Sequence, residues 1–493
     1  MFSQWNIPYF DRSIMQKKFL QNLGFLVLVN LLVKPFYILG IDAEVQNVVG
    51  AEEYGNYFAL FNFTFLFNIL NDLGTTNYNN RNIARNADSI DEFFPRMLGL
   101  RVMLLGLFAV ATMISGFFIG YSMGQLYLLA FLVLNQGLVA TIFFFRSNLA
   151  GLHLFKRDSI ISVMDRSILI AILGFLLWSP MLNIKFDIRW FVYAQTGAYA
   201  LTAIIAFIFL KGKLAHRFPS IDQLFNKEII KKSVPYAVLI LLMSLYHRMD
   251  TVILERILPD GDIQAGIYAQ GFRFLEALNN FSFLFAVLLF PIFSRMIKQG
   301  EDIKELLGLA TRILLSGVLI ISLTCFSFSL EIISWRYDAQ VEMATRCFSL
   351  LILSAVCHST VHIYGTLLTS AGELKLLNIL SGITVVINLI LNLWLAPLLY
   401  AEGSAWAGLL TQLFAALVHV IVVLKVFKLR PDIPSALKFI GLIAFLLLFG
   451  QIAHFMPWAW PLKAGVMCVM GLLVAMLLKL IDTRGILRIM NQS

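Results

Sequence analysis

Charge is what this chain has least of. Only 14% of its 493 residues are Asp, Glu, Lys or Arg, while 59% are hydrophobic; a soluble domain carries about 25% charged residues. With a mean hydropathy of +0.81, a soluble globule is excluded. Catalytic signatures are missing as well: there is no Walker-type loop, no HExxH and no GxSxG, so no common enzyme chemistry is legible. Cysteine is scarce, and Cys325, Cys347, Cys357 and Cys468 show no CxxC spacing. They read as small apolar packing residues, and neither a disulfide nor a metal is expected. His358 and His362, four apart on one helical face, are two ligands without a third, which suits hydrogen bonding between helices better than metal binding.

What the chain does have is apolar length. A membrane span needs about 20 mainly apolar residues, and fourteen such stretches occur, near 19–42, 54–80, 97–120, 122–145, 159–180, 189–210, 233–258, 266–294, 305–330, 346–371, 376–399, 404–427, 435–456 and 461–480. All must be helical, because lipid offers the backbone no hydrogen-bond partner. The expected fold class is an all-α integral membrane protein with about 14 transmembrane helices.

Basic residues set the orientation. Most of the 38 Lys and Arg fall at the two ends and in alternate connections, and that side is cytoplasmic by the positive-inside rule. Both termini are therefore expected in the cytoplasm, with an acidic first outer loop (Asp42, Glu44, Glu52, Glu53). The formal charge of +9 is then a topology signal, and no nucleic-acid partner is expected. No connection on the basic-poor side is long enough for a catalytic domain. The polar, aromatic opening MFSQWNIPYFDR lacks the form of a cleaved signal peptide, and Trp5, Tyr9 and Phe10 suit the interface before the first span.

An internal repeat organises the spans. Lys17-Lys18 answers to Lys231-Lys232, Lys34 to Arg248, Tyr54 to Tyr268 and Arg81 to Arg295, all at an offset of 214 residues. A repeat of several spans with a cation inside the first span of each copy points to a transporter whose halves face a polar path. The reading is an N-terminal lobe over 1–218 (spans one to six) and a C-terminal lobe over 219–430 (spans seven to twelve). Residues 431–493 supply two extra spans and a tail. The basic connection near 211–232 joins the lobes, and the copies are parallel because six is even.

Charges within the spans are the candidate site. Lys34 lies in span one, Arg248 and Asp250 in span seven, and Arg273 and Glu276 in span eight. Spans seven and eight run antiparallel, so a rise of 1.5 Å per residue brings the last four to similar depth. Each charge costs about 2.5–3.5 kcal/mol at the bilayer centre, so five facing lipid would cost on the order of 12–17 kcal/mol. They must face a cavity or one another. The structural alternative pairs Arg248 with Glu276 and Arg273 with Asp250, which leaves Lys34 in excess. A hydrated cavity with excess cation suits an anionic substrate such as a diphosphate, so Lys34, Arg248 and Arg273 are the candidate substrate-binding residues. Asp72, Asp250 and Glu276 are the candidate coupling or gating carboxylates. Asp72 lies in the Asn-rich run NDLGTTNYNNRNIAR (71–85), and Asn388 and Asn392 form an i, i+4 pair in span eleven.

Several segments are also similar to those of a known family. SVPYAVLILLMSLYHRMDTVIL (233–254), AGIYAQGFRF (265–274) and FPIFSRM (290–296) resemble spans seven and eight of bacterial polysaccharide (O-antigen-type) flippases. VVGAEEYGNYFALF (48–61), LLTSAGELK (367–375), NLILNLWLAP (388–397) and EGSAWAGLLTQ (402–412) match further elements of that family, within the multidrug/oligosaccharidyl-lipid/polysaccharide exporter superfamily. The resemblance implies two pseudo-symmetric six-helix bundles around a central cavity. It also implies alternating access, and movement of an undecaprenyl-diphosphate-linked oligosaccharide to the outer leaflet of the bacterial inner membrane for surface polysaccharide biosynthesis. Its implied partners are that lipid-linked substrate, the membrane lipids, a polysaccharide polymerase and glycosyltransferases. No cofactor is expected beyond coupling to H+ or Na+. The alternatives are a flippase for a lipid II or teichoic acid type precursor, a cation-coupled multidrug antiporter, or a membrane enzyme acting on lipid-linked sugars.

Overall fold

A computed structural model of the chain describes residues 32–76, 79, 83, 90–152, 154–179, 185–212, 214, 219–220 and 222–481. Lys17, Lys18, Arg81, the aromatic N-terminal stretch, both chain ends and much of the first predicted span lie outside them. The described residues form helices and turns, with no strand among them. After a π-helix over Tyr37–Asp42 come α1 (Ala43–Phe67), α2 (Ile69–Asp72), α3 (Ile90–Ile119), α4 (Met123–Gly151), α5 (Phe155–Trp178), α6 (Ile188–Lys211), α7 (Gln223–Ile257) and α8 (Gly261–Gln299). The chain continues through α9 (Lys304–Ser327), α10 (Ser329–Arg336), α11 (Val341–Ser370), α12 (Leu374–Val426), α13 (Ile433–His454) and α14 (Trp460–Leu477). Eleven helices among the described residues are long and apolar enough to cross a membrane. Large apolar side chains such as Phe118, Phe455 and Leu477 stand exposed, as lipid-facing surfaces require. The protein is an all-helical, multi-pass membrane protein.

Local chemistry sets the boundaries. Ser122 and Gln125 form a capping box at the start of α4, satisfying orphan backbone donors there. The side chain of Asp187 accepts from the Arg189 and Trp190 amides to start α6. α12 runs for 53 residues, but Tyr400 inside it has φ 57° and ψ −134°, three residues after Pro397. This break falls where two spans were expected to meet, near 400–403. The connection expected between the spans at 233–258 and 266–294 is tighter, since α7 ends at Ile257 and α8 starts at Gly261.

By contacts the chain divides into two units, Met1–Ile41 with Phe67–Val234, and Asp42–Leu66 with Pro235–Ser493. In the first, α4 packs on α3, α5 and α6. In the second, α11 is central and packs on α8, α9, α10 and α12, while α13 and α14 pack on α9 and on each other.

The acidic stretch expected as an outer loop is instead helical from Asp42 onward, with a kink at Gly50 (φ 85°). Three contacts inside the second unit hold it. The amide of Gln46 donates to the Gly266 carbonyl at 2.8 Å, that of Asn47 to the Arg336 carbonyl at 3.0 Å, and Glu44 pairs with Arg336 at 3.0 Å. Two glycines then let α1 and α8 touch backbone to backbone. A Cβ on Gly55 would lie 1.8 Å from the Asp262 carbonyl oxygen, and one on Gly266 would lie 2.0 Å from that of Ala51. Close approach through small residues is how helices associate without a hydrophobic driving force. Gly55→Ala is therefore expected to lower the unfolding midpoint of the purified protein, with a loss of about 1–3 kcal/mol or more from overpacking. Gly197→Ala, where a Cβ meets nothing within 4 Å, should leave the midpoint unchanged in the same thermal measurement.

Candidate functional site

The α1–α8 contact in the second unit places a buried ionic network. Arg273, on α8 and 5% exposed, reaches Asp42 through Nε at 2.6 Å and Glu276 through an Nη at 2.8 Å. It also donates to the Tyr54 hydroxyl, at 3.0 Å from Nε and 2.8 Å from Nη2. That hydroxyl in turn donates to Asp42 at 2.7 Å. Glu276 gives its other oxygen to Arg248 at 2.9 Å, and Arg248 also donates to the Asn62 amide oxygen at 3.1 Å. Aromatic faces close the network, with Phe65 4.6 Å from the Arg248 guanidinium and Phe58 4.7 Å from that of Arg273.

The pairing of Arg248 with Glu276 is as the structural reading had it. That of Arg273 with Asp250 is not: Arg273 takes Asp42 and Glu276. Asp42 looked like a loop residue because acidic clusters beside a span usually are loops. Its position next to Arg273 depends on the glycine contact, which carries no sequence signal of its own. Tyr54 did carry one, since it is a landmark of the repeat.

Asp250, 4% exposed, has a different environment. One oxygen accepts from the amides of Asn388 at 3.0 Å and Asn392 at 2.8 Å. The other accepts from the Tyr268 hydroxyl at 2.8 Å, and Ser404 orients Asn392 by donating to its amide oxygen at 2.7 Å. It has no ion pair among the described residues. The carboxylate is thus satisfied by neutral donors alone, drawn from α8 and the first half of α12. The i, i+4 pair Asn388 and Asn392 ties α12 to α7 through this carboxylate.

The remaining candidates belong to the first unit. Lys34 makes no hydrogen bond or ion pair among the described residues, and it lies in electrostatic reach of Arg166, Asp165 and Arg146. Arg166 packs over Tyr37 at 4.7 Å and donates to the Tyr199 hydroxyl at 3.0 Å; Arg146 pairs with Asp158 at 2.6 Å. Asp72 pairs with Arg101 at 3.0 Å, a residue that sequence reasoning passed over. Of the two histidines in span ten, His358 stacks on His247 with centroids 4.8 Å apart, and His362 meets the edge of Phe283.

Removing one partner of a buried ion pair leaves the other uncompensated, at roughly 3–5 kcal/mol. Arg273→Ala should therefore lower stability by about that amount, and adding Asp42→Asn should restore much of it in chemical or thermal unfolding. Recovery with Asp250→Asn instead would contradict the network.

Known proteins with similar sequence or fold can now be set beside this geometry. The sequence pattern of the family described as "polysaccharide biosynthesis protein" matches residues 19–297. In fold, the chain is similar to a lipid II flippase, MurJ, in its inward closed conformation, with TM-score 0.70 and 14% identity, covering 94% of this chain and 99% of that one. It is also similar to an inward-facing multidrug resistance transporter of the MATE family (TM-score 0.60, 13% identity, 83% and 99% coverage). A Vibrio cholerae MATE transporter, VcmN, gives TM-score 0.57 at 13% identity, with 85% and 98% coverage. No curated protein matches the chain in sequence.

Proposed function

The chain belongs to the polysaccharide biosynthesis protein family, and from that premise we propose that it is a flippase carrying an undecaprenyl-diphosphate-linked oligosaccharide from the cytoplasmic to the outer leaflet of the bacterial inner membrane, for O-antigen-type polysaccharide. Family and fold make it a transporter rather than an enzyme. The observation that carries the finer reading is the Arg248–Glu276–Arg273 chain inside the second unit. Arg273 is enclosed, whereas the Arg248 side chain keeps 18% of its surface. Arg248 is then the group that meets the diphosphate, with planar, two-pronged donors suited to phosphate oxygens. Arg273 fixes Glu276, which aims Arg248. Within the first unit, Lys34 is a further candidate cation and Asp72 the candidate gating carboxylate.

Asp250 is the coupling carboxylate in this reading. A buried acid facing only neutral donors has no fixed cation to hold its charge, so it can trade a proton or an alkali cation as access alternates. Glu276, gripped by two arginines, is the poorer candidate for that exchange.

Two measurements test this. Disrupting the gene should stop polymer export and leave lipid-linked oligosaccharide accumulating inside. Arg248→Ala should reproduce that loss in a folded protein, and Arg248→Lys should restore only part of it. Undiminished export in Arg248→Ala protein would remove the substrate role. For coupling, Asp250→Asn should keep the fold while abolishing the dependence of transport on pH or sodium in proteoliposomes. Transport that keeps both its rate and that dependence would rule Asp250 out.

A further inference from the structure

The first unit holds a polar cavity of which the reading above uses only Asp72. It has a volume of about 210 Å³ and lies between the α2 region, α3 and α4. Two of its lining residues, Asp72 and Thr76, flank a break in the second span, where α2 ends at Asp72 and is followed by Leu73 at φ 45° and Gly74 at φ 78°. Non-helical backbone at membrane depth is tolerated only where protein or a cavity satisfies it, and a leucine held in the left-handed region is a local strain that points to function.

Arg101 clamps this break in place. Only 2% exposed, it donates to the Asn71 carbonyl and the Thr76 hydroxyl, both at 2.7 Å, and pairs with one Asp72 oxygen at 3.0 Å. Thr75 and Thr76 donate to that same oxygen. The second Asp72 oxygen accepts nothing among the described residues. The side-chain oxygen of Asn68 accepts from the Asn71 amide at 2.8 Å, and its own amide donors make no hydrogen bond among the described residues. Gln136, 6% exposed, makes no side-chain hydrogen bond among the described residues, although it lines the cavity. Phe143, 51% exposed, adds an aromatic wall beside Val139 and Ala140; its ring also carries the Arg146 guanidinium, 5.8 Å from the centroid.

We propose that this cavity is a subsite for one neutral sugar ring. A pyranose presents hydroxyls that both donate and accept around its rim and C–H groups on its face. Asp72 Oδ2 supplies a strong acceptor, Asn68 supplies donors, and Gln136 supplies both, while Phe143 supplies a flat apolar surface for the face. Few placed polar groups on an apolar lining is the composition of a small-molecule site. The volume, about seven waters' worth, suits a single ring and lies below the roughly 300–1,000 Å³ of larger ligand sites. The free carboxylate oxygen repels an anionic sugar, so the site discriminates neutral rings from uronic acids. This inference rests on the flippase reading, and it adds a sugar contact in the unit that does not carry the diphosphate-binding arginine.

Saturation-transfer NMR on the purified full-length protein, with galactose, N-acetylglucosamine and glucuronate as probes, tests it. A neutral sugar should receive saturation and glucuronate should not. Gln136→Leu should weaken binding about tenfold, the loss of one ordinary hydrogen bond, and Phe143→Ala should weaken it further. Neither residue holds the fold together by a hydrogen bond, so both variants should keep the parent melting temperature. No transfer to any sugar, equal transfer in the parent and both variants, or equal transfer to glucuronate would each overturn the subsite. Failure here leaves the flippase reading intact, because gene disruption and polymer export judge that separately.

Discussion

A single guanidinium organises the second unit. Arg273 is buried in a helix of a membrane protein, where an uncompensated charge costs several kcal/mol. It is tolerated because Asp42, Glu276 and Tyr54 all converge on it. That convergence needs α1 to lie against α8 with no side chain between them, which Gly55 and Gly266 allow. The charge and the close contact therefore require each other. Without the glycines the carboxylate of Asp42 would not reach, and without Asp42 the buried arginine would penalise the packed state. From the same network Glu276 extends to Arg248, which fixes the direction of the more accessible cation.

The two tyrosines that mark the internal repeat do the same job in different electrostatic settings. Tyr54 donates to Asp42, and Tyr268 donates to Asp250. Beside Asp42 stands an arginine, and that acid is locked as an ion-pair partner. Beside Asp250 stand two carboxamides, and its charge is solvated without being neutralised. The tyrosine landmark thus supports an ion-paired carboxylate at Asp42 and a carboxylate held by neutral donors at Asp250.

Broken helices create the remaining polar features. The left-handed Leu73 and Gly74 interrupt the second span, and Arg101 satisfies the carbonyl of Asn71 that the break would otherwise leave without a partner. The break at Tyr400 separates the two halves of α12, so that Asn392 before it and Ser404 after it meet. In lipid a helix is interrupted only where something else pairs with its backbone, so each interruption gathers polar side chains around itself.

Much of this was legible in the sequence. Hydropathy summed over about 20 residues reports the solvent directly, which is why the membrane class, the spans from α9 to α14 and the division of α12 near residue 400 could be read from composition alone. The antiparallel register of spans seven and eight likewise brought Arg248 within reach of Glu276. Asp42 as the partner of Arg273, the cage of neutral donors around Asp250 and the Arg101 clamp on Asp72 were not legible. Each joins residues on different helices, as with Arg273 and Tyr54, 219 positions apart, and the helix crossing that brings them together is set by backbone contacts at glycines and by turns at positive φ. Sequence by itself determined which residues could not face lipid. Only the tertiary structure decided what they face instead, because a buried charge accepts any suitable partner and the choice among them is made by packing.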